Sequence, residues 1–139
     1  MNSISIFHNA SVLRERGNEY LNAELKKAGL KELVPSHGDI LAVLLHCGPC
    51  TMSDLARKVR RTKSTVTTLT DKLERGGYLQ RVPNPTDSRS TLVELTEKGQ
   101  ALGPAFQRIS VGLQCLVARN LTPEELDTLN ALLEKCLHD

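Results

Sequence analysis

The sequence has few aromatic residues and no long apolar run. Its 139 residues include two Tyr, two Phe and no Trp, which argues against the rows of stacked rings that bind single-stranded nucleic acid. The longest uninterrupted apolar run is the six residues 40–45, far short of the roughly 20 that a membrane-spanning helix needs. The first residues lack a basic segment followed by an apolar stretch, so we expect no secretory signal and a cytoplasmic protein.

Residue patterns that carry catalysis are also missing. No Ser-His-Asp set, phosphate-binding glycine loop or catalytic pair of carboxylates can be recognised. His46, Cys47 and Cys50 lie close together, but no second cluster of ligands follows them, so the sequence predicts no zinc site. We therefore expect a protein that is not an enzyme and that holds no metal and no cofactor.

Four cysteines raise the question of thiol chemistry. The segment C-G-P-C at residues 47–50 is spelled like the active site of thioredoxin-like oxidoreductases, which need the first Cys at a helix N-terminus. Here the segment ends an apolar helix, where Gly-Pro is a good stop signal. Two alternatives stay open, a regulatory disulfide between Cys47 and Cys50 and a thiol oxidoreductase. Cys115 and Cys136 fall on apolar faces of predicted helices, so we expect them to be buried.

Positive charge is concentrated in one part of the chain. The formal net charge is only +2, but residues 57–89 hold nine cations and three anions, a net charge of +6. The remainder carries −4. Because Lys and Arg gain free energy by displacing counterions from phosphates, this division favours a polyanionic partner. The alternative is a solvated basic surface without a partner.

Hydrophobic periodicity predicts six helices and one β-hairpin, in the order α-α-α-α-β-β-α-α. The predicted helices cover residues 8–28, 36–47, 53–59, 63–75, 97–118 and 123–137, and the strands cover residues 78–82 and 91–95. Ser36, Ser53, Thr96 and Thr122 are predicted N-caps. Pro104 is expected to bend the fifth helix, since proline removes a backbone donor.

This order describes a mainly α fold with a small β-hairpin wing, the winged helix-turn-helix. The helix at residues 63–75 directs Val66, Leu69 and Leu73 inward and leaves small hydroxyl side chains outside. Such a helix can enter the major groove of DNA closely. Arg89 at the hairpin tip can reach the narrow minor groove, and Asp87 can orient its guanidinium. A structural helical bundle and a winged helix that docks protein are the alternatives.

The residues predicted to contact DNA lie on this helix, in the turn before it or on the hairpin. They are Arg61, Lys63, Ser64, Thr65, Thr67, Thr68, Lys72, Arg75, Arg81, Asp87, Ser88 and Arg89.

The hairpin and its surroundings resemble the MarR (multiple antibiotic resistance) family of regulators. Residues 87–99 match the family's wing pattern D-x-R-x-x-x-V-x-L-T-x-x-G at every fixed position. Residues 53–56 look like the start of the family's first helix-turn-helix helix, and residues 73–79 resemble the turn into its wing. Asn84 stands where many members have an acid. The resemblance covers nearly the whole chain.

The resemblance implies a homodimeric transcriptional regulator that binds a pseudo-palindromic operator in double-stranded DNA, commonly as a repressor. It implies a winged DNA-binding region at residues 36–96 and a helical dimerisation region at residues 1–35 and 97–139, within one chain of 1–139. It also implies release from DNA by a small anionic or phenolic effector. No membrane partner is expected.

Overall fold

Seven helices and three short strands form the structure, a computed structural model that describes residues 3–138. In chain order they are α1 (Ser3–Lys27), α2 (Pro35–Cys47), β1 (Cys50–Thr51), α3 (Met52–Val59), α4 (Lys63–Arg75), β2 (Leu79–Pro83), β3 (Thr91–Leu95), α5 (Glu97–Gln100), α6 (Gly103–Ala118) and α7 (Pro123–Cys136). The mainly α architecture with a β-hairpin wing is confirmed.

The wing belongs to a three-stranded antiparallel sheet with the strand order β1-β3-β2. The predicted hairpin pairs Leu79 with Leu95, while Cys50 in β1 pairs with Val93 in β3. The sequence prediction missed β1 because two residues are too few to show an alternating pattern. Through this strand the wing is hydrogen-bonded to the segment that leads into α3.

Two helices begin at residues other than the predicted caps. Val34, not Ser36, is the N-cap of α2, and the N–H of Val34 donates to Nδ1 of His37 at 3.1 Å. The N-cap of α3 is Thr51, not Ser53, and its hydroxyl accepts the N–H of Asp54 at 3.1 Å. Both starts lie earlier in the chain than predicted, because the acceptor is the hydroxyl of the cap itself in α3 and the His37 side chain three residues after the cap in α2.

The predicted fifth helix is two helices. Thr96 caps the short α5 as predicted, but the chain turns after it and α6 starts at Gly103, with Pro104 in its first turn. Proline is tolerated there because the first N–H groups of a helix have no intrahelical acceptor. The prediction that Pro104 bends one long helix is therefore wrong.

The bounds of α4 and the capping box of α7 are confirmed. The helix α4 covers Lys63–Arg75 as predicted, and Thr122 and Glu125 form the reciprocal cap of α7. After α4 the left-handed residue is Gly77, with φ 81°, which turns the chain into β2.

The buried core lies between α2, α3, α4 and the sheet. Its most completely buried side chains include Ile40, Leu55, Leu73 and Val93. The helix α6 contributes Ile109 to the buried set, and the described part of α7 contributes nothing. The winged region therefore holds most of the core, and the outer helices (α1, α6 and α7) add Leu25 and Ile109 to the same cluster.

Candidate nucleic-acid interface

The helix α4 separates an apolar inner face from a polar outer face. Val66, Thr70 and Leu73 are completely buried. The exposed residues of the helix are the predicted ones, namely Lys63, Ser64, Thr65, Thr67, Thr68, Lys72 and Arg75. Leu69 is half-buried, as a boundary position should be. The surface that remains is a row of short hydroxyl side chains flanked by cations.

Threonine hydroxyls on α4 are held by the helix itself. Those of Thr67 and Thr68 donate to the carbonyl oxygens of Lys63 and Ser64, at 2.8 and 3.3 Å. Because each hydroxyl donates its proton to a backbone carbonyl, its oxygen can still accept a hydrogen bond from DNA. An acceptor at the major groove suits the amino groups of adenine and cytosine.

Two arginines in the turn before α4 reach other helices. Arg60, which has a left-handed backbone with φ 56°, contacts Glu134 of α7 at 3.4 Å. Nη2 of Arg61 lies 3.6 Å from a carboxylate oxygen of Asp39 in α2. Burial raises the pKa of Asp39, and the Arg61 guanidinium opposes that rise. The predicted DNA contact Arg61 is thus directed toward α2.

The wing tip is organised by hydrogen bonds around Asn84. Its amide donates to the Ser90 hydroxyl at 3.0 Å and its carbonyl accepts from the N–H of Thr86 at 3.1 Å. Asp87 accepts the N–H of Arg89 at 3.0 Å and contacts its Nε at 3.4 Å. The Arg89 side chain is 91% exposed. Asp87 therefore orients an arginine that extends into solvent.

Arg81 occupies a different environment from Arg89. It lies in β2 with 32% of its side chain exposed, and its guanidinium contacts Asp71 at 2.7 Å and Glu74 at 2.8 Å. A third contact joins it to the hydroxyl of Thr70 at 3.3 Å. The sequence predicts Arg81 as a DNA contact from its charge, and the two acids that face it become adjacent only in the folded chain.

The cysteines divide into one buried thiol and three exposed ones. Cys47 is exposed at the end of α2, and Cys50 is buried in β1 with Nζ of Lys58 at 4.0 Å from its sulfur. Burial raises the pKa of the Cys50 thiol. Cys115 and Cys136 are exposed, so the expectation that they are buried is wrong for the single chain. The faces of α6 and α7 that carry these two thiols are not covered by another element of the described chain.

A cavity of about 740 Å³ opens between the outer helices and α2. Its walls are mainly apolar, with Leu21, Leu113 and Leu129 among the lining residues. Arg14 and Asp39 are the charged groups that line it. The cleft can therefore enclose an apolar body and meet a polar group at one end.

Lys98 and Asn84 were missed as site-supporting residues. Nζ of Lys98 donates to the carbonyl oxygen of Gly76 at 2.7 Å and lies 4.4 Å from the centre of the Tyr78 ring. These contacts join α5 to the turn between α4 and the wing. For Asn84 the signal was present, since Asn between two prolines favours a side-chain-capped turn.

Within residues 3–138 no group of side chains forms a metal site. No helix in that same range combines the length and apolarity that crossing a membrane requires.

Comparison with known proteins relates this chain to bacterial transcriptional regulators. A model of the MarR family matches residues 33–91, from α2 to the start of β3. The uncharacterized HTH-type transcriptional regulator YwhA of Bacillus subtilis is 33% identical over 109 residues, which are 73% of this chain and 77% of YwhA. The multiple antibiotic resistance protein MarR of Salmonella typhimurium is 35% identical over 95 residues, 67% of this chain and 66% of that protein.

A solved structure extends the likeness to the outer helices. A mutant MarR from E. coli complexed with operator DNA superposes with a TM-score of 0.84 and 26% sequence identity. The superposition covers 97% of this chain and 95% of that one. The likeness therefore includes α1, α6 and α7 as well as the winged region.

Proposed function

This chain belongs to the MarR family of transcriptional regulators, and on that premise we propose that it is a homodimeric repressor that binds a pseudo-palindromic operator. The observation that carries the proposal is the exposed hydroxyl-and-cation surface of α4 beside a wing with the solvent-extended Arg89. The E. coli relative complexed with operator DNA supports double-stranded DNA as the partner.

Exposed apolar side chains on the outer helices support the homodimer. Phe7 is 77% exposed, Val111 53% and Leu137 63%. A soluble monomer rarely exposes many large apolar side chains together, whereas an isologous dimer buries them on both subunits. We assign dimerisation to residues 1–35 and 97–139 and DNA binding to residues 36–96. Two winged regions in one dimer can read half-sites about 34 Å apart.

The cleft beside α2 supports release by a small molecule. Its apolar walls suit an aromatic ring, Arg14 suits an anionic group, and Asp39 can accept a phenolic proton. An effector there would lie next to Asp39, whose other neighbour Arg61 directly precedes the Thr62 cap of α4. Occupation of the cleft is thereby coupled to the DNA-reading helix.

In vitro selection from random duplex DNA, followed by affinity measurement over a salt series, tests the DNA assignment. We expect an inverted repeat, and an affinity that falls linearly on logarithmic axes with salt. A protein-docking winged helix would bind no duplex even at low salt, and that result would reject the proposal. Adding benzoate or phenol to the complex then tests whether either class of effector releases the DNA.

A thiol-based redox response is the second candidate, favoured by the position of Cys50 in the strand that pairs with the wing. A hydroperoxide would oxidise the exposed Cys47 to a sulfenic acid and leave as the alcohol. The Cys50 thiol would then attack that sulfur, form the disulfide and release water. Cys47 ends α2, at the negative pole of the helix dipole, which opposes formation of its thiolate; this disfavours the oxidoreductase alternative and makes the oxidation by peroxide slow.

The redox response is tested by comparing DNA affinity before and after hydrogen peroxide, and again after dithiothreitol. The candidate requires a reversible loss of affinity that Cys47→Ser abolishes. Cys136→Ser is the matched control, since this thiol lies on α7, outside the winged region. If peroxide leaves the affinity unchanged, or acts equally on Cys47→Ser, the redox candidate is rejected.

A further inference from the structure

Arg81 joins the wing to α4 through two carboxylates at once. Its Nη1 contacts Glu74 at 2.8 Å and its Nη2 contacts Asp71 at 2.7 Å. The two acids lie three residues apart and therefore on the same side of the helix. A planar guanidinium offers each acid a separate nitrogen, whereas the three donors of a lysine ammonium all leave one nitrogen and fit this two-acid geometry less well. The contact thus depends on the shape of arginine as well as on its positive charge.

The position of Arg81 makes this contact a connection between two DNA-facing elements. Arg81 pairs with Val93 in the hairpin, so it is fixed in the sheet that carries the wing tip. The wing is also joined to α4 by the short turn at residues 76–78, where Lys98 donates to Gly76, and by the core that Leu73 shares with Leu79. A salt bridge from the middle of β2 restricts the angle between the wing and the helix.

Arg81 also offsets the only acids in the basic segment before the wing tip. Between residues 57 and 86 the acidic residues are Asp71 and Glu74. Both are partly exposed, with side chains 42% and 39% accessible. Without a cation between them, two carboxylates on α4 would repel the phosphates that the neighbouring Lys72 and Arg75 attract.

We propose that Arg81 is a positioning residue for DNA recognition, which sets the wing against α4 and keeps Asp71 and Glu74 neutralised, and which contacts no phosphate itself. The inference rests on the proposed DNA-binding function. Arg81 and Arg89 thus have different roles. The N–H groups of Arg81 donate to acids within the protein, whereas the Arg89 side chain is 91% exposed.

A double-mutant cycle on the selected duplex tests the assignment. Arg81→Ala is expected to weaken binding about tenfold, which corresponds to about 1.4 kcal/mol. In the Asp71→Asn/Glu74→Gln background the same change is expected to cost less than about threefold, because the acids that it would expose are gone. Arg81→Lys should restore only part of the affinity. The salt slope should change by much less than the roughly 0.9 of a lost phosphate contact.

Equal losses in the two backgrounds, including no loss in either, would overturn the inference. A fall in salt slope of about 0.9 for Arg81→Ala would do so as well, since it identifies a direct phosphate contact.

Hydrogen exchange without DNA separates this inference from the proposed function. Arg81→Ala should speed amide exchange in β2 and β3 at least several-fold, because the wing loses the one of its attachments to α4 that lies in the middle of β2. Arg57→Ala is the matched control, since it removes an Arg–Asp contact that lies within α3. If exchange responds as expected but the wild type binds no duplex, the wing contact stands and the DNA function fails. Unchanged exchange in Arg81→Ala overturns the inference.

Discussion

Arg89 extends from the wing tip with its backbone N–H and Nε both turned to Asp87. No other part of the wing contacts the guanidinium among the described residues, and the side chain is 91% exposed. Its free N–H donors are therefore the ones that a DNA groove would take up.

For Arg89→Ala we predict an affinity loss of about tenfold on the selected duplex, with the salt slope reduced by up to about 0.9 if the contact is to phosphate. The unfolding free energy should change by less than about 0.5 kcal/mol, because the residue is on the surface. Fluorescence anisotropy and chemical denaturation measure both quantities. An affinity that matches the wild type across the salt series would argue against a role for the wing arginine.

At the residue scale, the side chain of His37 stabilises the start of α2 by accepting a hydrogen bond from its N-cap residue, Val34. The side chain is 4% exposed, and Nδ1 accepts the N–H of Val34, which requires an unprotonated nitrogen. Burial, with a smaller contribution from Lys72, holds the pKa of His37 below its ordinary value of 6.5. The unfolded chain therefore takes up the proton more readily than the folded one.

Lowering the pH below about 6.5 is accordingly predicted to reduce the free energy of unfolding. The stabilisation from neutral His37 is fully present above that pH. In His37→Gln the carbonyl can still accept but does not titrate, so the drop between pH 7 and pH 5 should shrink. Comparing the two proteins removes the contribution of Asp39, whose raised pKa acts in the opposite direction. Parallel pH curves would contradict the prediction.

At the scale of elements, the junction of α5 with the sheet depends on Gly99. A Cβ at this position would collide with the carbonyl oxygen of Tyr78 and crowd a methyl of Leu95. The Tyr78 carbonyl also accepts the N–H of Thr96 at 3.1 Å, so it cannot move away at little cost. The glycine of the T-x-x-G motif is thus explained by the close packing of α5 against the backbone of Tyr78, just before β2.

Gly99→Ala is predicted to destabilise the protein by about 2 kcal/mol or more, the range expected for overpacking against backbone. Gly17→Ala is the matched control because this residue lies in the middle of α1, where its Cβ would meet a Leu113 methyl at an ordinary 3.6 Å. Alanine also favours the helix there by about 0.5–1 kcal/mol, so the control should be neutral or stabilising. Urea denaturation of both variants decides the matter. Equal stabilities would show that the junction tolerates a side chain.

For the whole molecule, burial is concentrated in the winged region and is least at α7. Most core side chains lie in the winged region, whereas Leu132 and Leu133 of α7 are 53% and 46% exposed and Leu137 after it is 63% exposed. Helices of this length are marginal in water without a packed apolar face. A second copy of the chain supplies that face in the proposed dimer.

Leu133→Asp is predicted to dissociate the dimer at micromolar concentration and to weaken operator binding at least tenfold, since each monomer reads one half-site. Light scattering coupled to size exclusion measures the mass, and anisotropy measures the affinity. Thr128→Asp is the matched control, because it adds the same charge to the same helix at a position that is already polar. A dimeric Leu133→Asp that binds DNA normally would contradict the assignment of α7.

Local patterns determined most of the elements of this protein. The bounds of α4, the cap of α7, the inward Val66 and Leu73 and the wing motif at residues 87–99 depend on spacings of a few residues, which the chain displays directly. The concentration of cations in residues 57–89 likewise needs only counting, and together these features indicated the winged fold and the family.

Only the tertiary structure decided which charged groups on separate elements face each other. Arg81 and its partners Asp71 and Glu74 are joined by the folding of β2 onto α4, and Arg61 meets Asp39 from another helix. The exposure of Cys115 and Cys136 also depends on which helices find a covering layer. Pairing energies fall off over a few ångströms, so the role of each arginine follows from distances between segments that the order of residues does not contain.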